Sequence, residues 1–476
     1  MLRVRLRYAE PGMVIAETVR HPRHPGVLLL KPGARLDEPA IARLLELRVP
    51  ELWIRYPALE GLRRYHAPAV SQARDEAARR IAGALDALVA DRHARLDYVA
   101  FRTVTTGLLA AVSDSPLAAL FISEQAAIGS AAARHAATTC FLSILLGLKL
   151  DSYIVRERAR LGPGVAQDVT SLGLGAMLHD VGLTALDDAT LRRFAAAGDE
   201  DDPAWQAHVR VGFDMVKEEF DPAVAACVLH HHQRFDGTGF PRRRALDASS
   251  HAVAGAEIHV FARIVAVAEY FDRLRYPEHS PDARPADAPA LPTARALKRV
   301  LQASHAPAGS SGGASGGRFD PKIVRALLCV VPPYAPGSIV RLSDSRQGVV
   351  SDWSPRHPCR CTVEILDPRG RQRGRPWWTE APVERVDLAQ RPDLRVVEAE
   401  GHDVSGDEFE VPAPASPARP GGDLDPPAGA PACAARLPHG ARPPAPRGGV
   451  PPSERGHWKR SQGRHRGHGG RDHGDA

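Results

Sequence analysis

A chain of 476 residues, 43% of them hydrophobic, has room for several domains and readily buries one sizeable core, so it is no disulfide-stapled miniature. Its six cysteines (Cys140, Cys227, Cys329, Cys359, Cys361 and Cys433) include no Cys-x-x-Cys pair, which argues against a zinc ribbon and for a reducing, cytoplasmic setting. The formal charge of +6 suggests a nucleic-acid binder until it is located: from Val411 onward ten Arg and Lys face five Asp and Glu, so most of the excess sits in the last segment and no specific nucleic acid is expected as a partner.

In chain order, residues 1–62 mix strand patterns ("RVRLRYAEPGMVIAETV", "GVLLL") with a helix opening at Asp37, which predicts a small α+β module. Residues 63–125 carry the helical periodicity of a connector, and residues 126–335 form a large helical domain whose last helices flank the Gly/Ser loop "APAGSSGGASGG". Period-two alternation in "GSIVRLSDSRQGVVSDW" and "CTVEILDPRG" predicts a small β module over 336–398. Residues 399–476 are rich in Pro, Gly, Arg and His and poor in large apolar side chains, so this tail is expected to be disordered. The start, "MLRVRLRYAEPGM", lacks an apolar stretch of signal type, and the run "FLSILLGLKLDSYIV" is broken by Lys149 and Asp151, so no membrane span is expected. The expected fold is mainly α, a helical core flanked by the two small modules.

Within the core, helical spacing puts His135 on the face of Leu142 and Leu145, His179 on that of Val169, Leu172 and Ala176, and His231 and His232 on that of Val224 and Val228. Glu269 shares a face with Ala262, Val265 and Ala266, where a carboxylate is ionised only if a cation holds it. A lone histidine on an apolar face is more often a hydrogen-bonded core residue than a ligand. Several inward histidines and carboxylates on different helices are better satisfied together, by one or two divalent cations.

These residues carry a family resemblance. "MLHDVGL" resembles the His-Asp doublet of the HD superfamily of metal-dependent phosphohydrolases, and "HHQRFDGTGFP" resembles the HHExxDGxGYP signature of its HD-GYP subfamily. "HVRVG" is similar to the family's HPxxG, and "ARIVAVAEYFDRL" to its ARIxAVADxFDAL. The resemblance implies an HD-type helical core and cyclic di-GMP as substrate, cleaved to the linear dinucleotide or GMP in bacterial second-messenger signalling. It implies two divalent metal ions, iron or manganese, on His135, His179, Asp180, His208, His231, His232 and Glu269, with His179 and Asp180 at the catalytic centre. Two cations neutralise the phosphoryl oxygens and lower the pKa of a shared water. The turn "DGTGFP", with Asp236, Gly237, Gly239, Phe240 and Pro241, together with Arg263, is the expected loop for substrate or a signalling partner.

Departures from the family pattern qualify what it implies. Glu269 replaces an Asp, Gln233 a Glu and Phe240 a Tyr, while Ala131 and Leu183 stand where relatives with a third metal have Glu and Lys. Two cations rather than three are therefore expected, and His230 is read as structural. The basic stretch that follows the last carboxylate in relatives is here "RYPEHSPDARPA", leaving Arg273, Arg275 or the run Arg242 to Arg244 to meet phosphates. The alternatives to an active phosphodiesterase are a degenerate core that binds cyclic di-GMP or a partner without turnover, and another phosphohydrolase activity.

Overall fold

The computed structural model describes residues 2–412 apart from 22–26, 48, 50, 66, 92–93, 116–129, 245–249, 278–289, 306–316, 367–377 and 379–381. Most of the tail expected to be disordered, with Cys433 and the last histidines, lies outside the described residues, as do Glu278 and Asp282. The N-terminal part contains the strands β1 (Leu2–Arg5), β2 (Val19–Arg20), β3 (Leu28–Leu30) and β4 (Glu51–Ile54) and the helix α1 (Glu38–Glu46). β1 pairs antiparallel with β4, and β2 with β3. Asp37 starts α1 by accepting a hydrogen bond from the Ala40 amide at 2.8 Å, as its N-cap position dictates.

The helical core follows: α2 (Pro68–Ala90), α3 (Tyr98–Asp114), α4 (Ala131–Lys149), α5 (Asp151–Glu157), α6 (Pro163–Gln167) and α7 (Thr170–Leu178). It continues with α8 (Asp188–Ala197), α9 (Pro203–Gln206), α10 (His208–Val216) and α11 (Pro222–His230). A short exposed hairpin, β5 (Arg243–Arg244) with β6 (Ser250–His251), precedes α12 (Val260–Arg275), α13 (Thr293–Ala303) and α14 (Pro321–Val330). The sequence reading of 63–125 as a connector is corrected here. Phe101, Leu108 and Val112 of α3 and Ala77 and Ile81 of α2 share one apolar core with α4, α7, α11 and α12. An amphipathic helix cannot stay a spacer when its apolar face has a neighbour to cover. Among the described residues one helix, α4, is long and apolar enough to cross a membrane, and 78% of its most apolar window is buried within the protein.

The C-terminal part is an antiparallel six-stranded sheet in the order β10-β9-β8-β7-β11-β12. Its strands are β7 (Ile339–Leu342), β8 (Gln347–Asp352), β9 (Thr362–Ile365), β10 (Glu384–Asp387), β11 (Val396–Ala399) and β12 (His402–Asp403). A second correction follows: β12 and the fully buried Val404 belong to this sheet, not to a disordered tail beginning at residue 399. The reason is electrostatic as well as apolar. Glu400 reaches back to the helical core, where its carboxylate meets Arg275 at 2.8 Å and accepts hydrogen bonds from the Thr293 hydroxyl and amide at 2.5 and 3.2 Å.

Burial alone would raise the Glu400 carboxyl, but Arg275 and Thr293 outweigh it and hold it down at about 2, against an ordinary 4.5. A carboxyl lowered by folding stabilises the protein fully above its unfolded value and loses that contribution as pH falls toward its folded one. At about 1.4 kcal/mol per unit, Glu400→Gln is expected to cost about 3 kcal/mol at neutral pH. The deficit should shrink as pH falls from about 4.5 to about 2, which denaturant titrations of both proteins at several pH values check.

Candidate metal centre

Four helices and the turns at their ends converge on one buried cluster. His135 lies in α4, His179 and Asp180 end α7, His208 opens α10, and His231 and His232 follow α11. The approach of the His179 and His208 turns is close enough to require glycine at 182, because a Cβ there would stand 2.0 Å from the His208 carbonyl oxygen. At the start of α11 the Asp221 side chain caps the Ala223 and Val224 amides at 2.9 and 3.2 Å, which fixes where the helix ends and the paired histidines begin.

In all four of the central imidazoles Nδ1 is committed to an acceptor. His179 donates to the Ala176 carbonyl at 2.7 Å, His208 to that of Trp205 at 2.7 Å, His231 to that of Val228 at 2.9 Å, and His135 to Asp272 Oδ2 at 2.6 Å. A carbonyl or carboxylate only accepts, so the proton sits on Nδ1 and the Nε2 lone pair is left for the centre. There the lone pairs face one another: Nε2 of His179 lies 3.2 Å from Nε2 of His135, and Nε2 of His208 lies 3.4 Å from Nε2 of His231. Such pairs repel unless a proton or a cation stands between them.

Asp180 joins the two pairs. Its Oδ2 is 3.2 Å from His179 Nε2 and 3.6 Å from His135 Nε2, while its Oδ1 is 3.4 Å from His231 Nε2 and 3.8 Å from His208 Nε2. Neither oxygen takes a hydrogen bond of good geometry, nor does the buried Nε2 of His232. Unsatisfied buried donors and acceptors of this kind are costly, and a cation on each side of Asp180 would satisfy them together. The residues resolve into two groups able to hold a metal ion, Asp180 with His208, His231 and His232, and His135 with His179 and Glu269, the ligand atoms within each group lying within 4.8 Å of one another. The donor set therefore fits divalent cations.

Electrostatics agree with this arrangement. Burial disfavours a charged Asp180, yet His179 and His231 outweigh it and keep the carboxyl well below the usual range. Burial likewise opposes charge on His179, but Asp180 and Glu269 push it up to about 9. His232 is held well below the ordinary value by burial and by His231, His208 and Arg273, so it stays neutral. His230, read as structural, is brought down to about 4 by burial and then His231, and it belongs to neither ligand group.

Glu269 has a cation of its own: Arg273, one turn along α12, meets its Oε1 at 2.7 Å. Two expectations need correcting. Arg263 is no substrate-loop residue: it is 5% exposed and bound to Glu157, Asp320 and Tyr153, so it fastens α12 to its neighbours. Phe240 does not offer its ring outward, being stacked on His232 with centroids 4.7 Å apart and packed against Trp205. Pro241 is tied down too, its carbonyl accepting from Gln233 Nε2 at 2.5 Å. The rest of the loop is shaped for tightness. Asp236 accepts from the Thr238 amide at 2.9 Å, Gly237 adopts φ +80°, and a Cβ at Gly239 would sit 2.4 Å from the His232 oxygen.

Sequence reasoning missed Trp205, and it offered Asp272 only as the ligand to replace Glu269, one turn further along the same face. In the structure Asp272 is fully buried and orients His135. Trp205 buttresses His208 and His232, with ring centroids at 4.8 and 5.0 Å. Asp272→Asn preserves shape but weakens the grip on His135, so affinity for manganese(II) is expected to fall about 10- to 100-fold. Calorimetric titration of both proteins checks this, and equal affinities would remove Asp272 from the site. Of the other arginines expected to meet phosphates, Arg275 is not available at this centre. Arg275 is committed to Glu400, and Arg242 and Arg243 are exposed on the hairpin.

Beside the cluster a cleft opens, lined by His231, His232, Glu269, Arg234, Arg273 and Arg318 among others. Residues 149–291 match the HD domain family. A cyclic di-GMP phosphodiesterase of Pseudomonas aeruginosa is 28% identical over 236 residues, which are 49% of this chain and 47% of that protein. A cyclic di-GMP phosphodiesterase response regulator of Xanthomonas campestris is 31% identical over 111 residues, 23% of this chain and 27% of the relative. For a cyclic di-GMP phosphodiesterase of Thermotoga maritima the figures are 30% over 109 residues, 22% and 27%. The chain thus spans less than half the length of each of these relatives.

Proposed function

We propose that the chain, whose residues 149–291 match the HD domain family, is of the HD-GYP type and is a metal-dependent phosphodiesterase that hydrolyses cyclic di-GMP to the linear dinucleotide, GMP or both. The observation that carries the reading is Asp180, with one oxygen toward the His135/His179 pair and the other toward the His208/His231 pair. Two divalent cations, iron or manganese, are the proposed cofactors, since imidazoles with a minority of carboxylates suit such metals. When bound, they supply charge neutralisation at the phosphoryl oxygens and acidify water.

The chain's own residues do the rest. Nδ1 of His135, His179, His208 and His231 is held by an acceptor, so the direction of each Nε2 is set before any ligand arrives and little reorganisation opposes binding, while burial keeps His232 neutral. Trp205 and Phe240 wall the His232 side and keep water from it. The cleft beside Glu269, lined also by Arg234, Arg273 and Arg318, is where a diester can approach. Partner contacts through the loop from Asp236 to Pro241, if made, would use exposed Thr238 rather than the buried Phe240 ring. Free cysteines, with Cys140, Cys227, Cys359 and Cys361 buried, accord with a cytoplasmic location.

One observation favours a second reading, binding without turnover. Arg273 already neutralises Glu269, which weakens that carboxylate as a metal ligand. Incubating the anaerobically prepared iron or manganese protein with cyclic di-GMP and separating the products distinguishes the two. Formation of linear dinucleotide or GMP supports the enzyme, whereas tight binding with no product would establish the second reading.

A further inference from the structure

We propose that Arg234, Arg273 and Arg318 form a recognition subsite for the phosphodiester of the dinucleotide, with Glu200 as the internal anion that holds it ready. The inference rests on the phosphodiesterase reading and gives it a source of specificity. Three arginines from separate parts of the chain line one cleft: Arg234 follows the paired histidines, Arg273 lies in α12, and Arg318 leads into α14. Glu200, between α8 and α9, meets Arg234 at 2.8 Å and Arg318 at 3.4 Å. Despite burial, Arg318, Arg273 and Arg234 hold its carboxyl below the ordinary value. With Glu269 on Arg273 at 2.7 Å, each guanidinium of this wall faces a carboxylate that an incoming anion would have to displace or share.

The arrangement is anchored and yet exchangeable. Arg318 is fixed by its backbone, donating to the Ala303 carbonyl at 2.8 Å and accepting from the Phe235 amide at 2.8 Å, which ties it to the turn after the paired histidines. Its guanidinium lies 4.8 Å from the Tyr270 ring centroid and 5.4 Å from that of Phe319, which supports it beside the cleft while its Nη2 faces both Glu200 oxygens at 3.4 Å. The Arg234, Arg318 and Glu200 side chains are 30%, 27% and 26% exposed, and ion pairs at such positions hold together by about 1 kcal/mol or less. A diester anion, matched by forked donors and brought close to the metal ligands, can therefore displace Glu200. Tyr270 and Phe319, with ring centroids 5.0 Å apart, back the Arg318 guanidinium, and Phe319 is itself buried in the core.

The test uses the full chain, metal-loaded for turnover and chelated for binding, and compares Arg318→Ala, Arg234→Ala and Glu200→Gln with the unaltered protein. Cyclic di-GMP affinity is read after chelation of metal, and kcat/KM is read on both cyclic di-GMP and bis(p-nitrophenyl) phosphate, a small diester without purines. Each arginine variant is expected to weaken cyclic di-GMP binding about tenfold or more. It should also lose about tenfold more kcat/KM on cyclic di-GMP than on the small diester, with melting temperature and metal content retained. Glu200→Gln removes the competing anion and is expected to tighten binding, an outcome that a purely structural ion cluster would not give. Arginine variants that bind cyclic di-GMP like the unaltered protein, or lose equally on both diesters, would overturn the subsite alone. An unaltered protein that neither binds nor cleaves cyclic di-GMP would overturn the phosphodiesterase reading and the subsite with it.

Discussion

Asp180→Asn is expected to leave the chain folded but strip it of its divalent cations and lower cyclic di-GMP turnover on the order of a thousandfold or more. Each Asp180 oxygen faces a different imidazole pair, so a single substitution removes the one negative charge common to both ligand groups. Asparagine keeps the shape and one oxygen, but its amide nitrogen must turn donors toward one of the pairs, where no donor is wanted. Losing several kcal/mol of charge stabilisation, at about 1.4 kcal/mol per tenfold, gives the stated magnitude. Metal analysis and product formation read the effect, with circular dichroism as the check on folding. An asparagine variant with unaltered metal content would show that Asp180 is not the shared ligand.

Glu269→Ala should have the second largest effect, and its companion Glu269→Asp the more informative one. Alanine leaves Arg273 beside the cluster without its carboxylate and leaves His135 and His179 without their third ligand. The expected result is a fall from two cations to one per chain, with turnover lost. Aspartate is a methylene shorter, so it loosens the hold of Arg273 and frees the carboxylate for the imidazole pair. Activity of Glu269→Asp is expected to equal or exceed that of the unaltered protein. Should Glu269→Ala retain full metal content and full activity, Glu269 would be no ligand.

The ligand candidates were legible because each helix writes its apolar period around an inward histidine, and the doublet of His179 and Asp180 sits where such a face ends. What the period leaves open is which faces meet. The packing of α2 and α3 onto α4 and α7 and the return of Glu400 to Arg275, 125 residues away, both depend on partners outside the local pattern. Glu200 with Arg318 is the same case, since nothing local in "GDEDD" or "GGRFD" points one at the other. Arg263 misled for the opposite reason. Its place in a family-like stretch suggested substrate, while its three acceptors and near-complete burial make it a structural tie.

The central claim is that the buried histidines and Asp180 form a two-cation centre, and the metal content of the unaltered chain purified without oxygen tests it most directly. Elemental analysis against protein concentration is predicted to give two iron or manganese ions per chain. A value near zero in protein exposed to either metal would contradict the metal centre, and a value near three would contradict the ligand set that Ala131 and Leu183 leave in place.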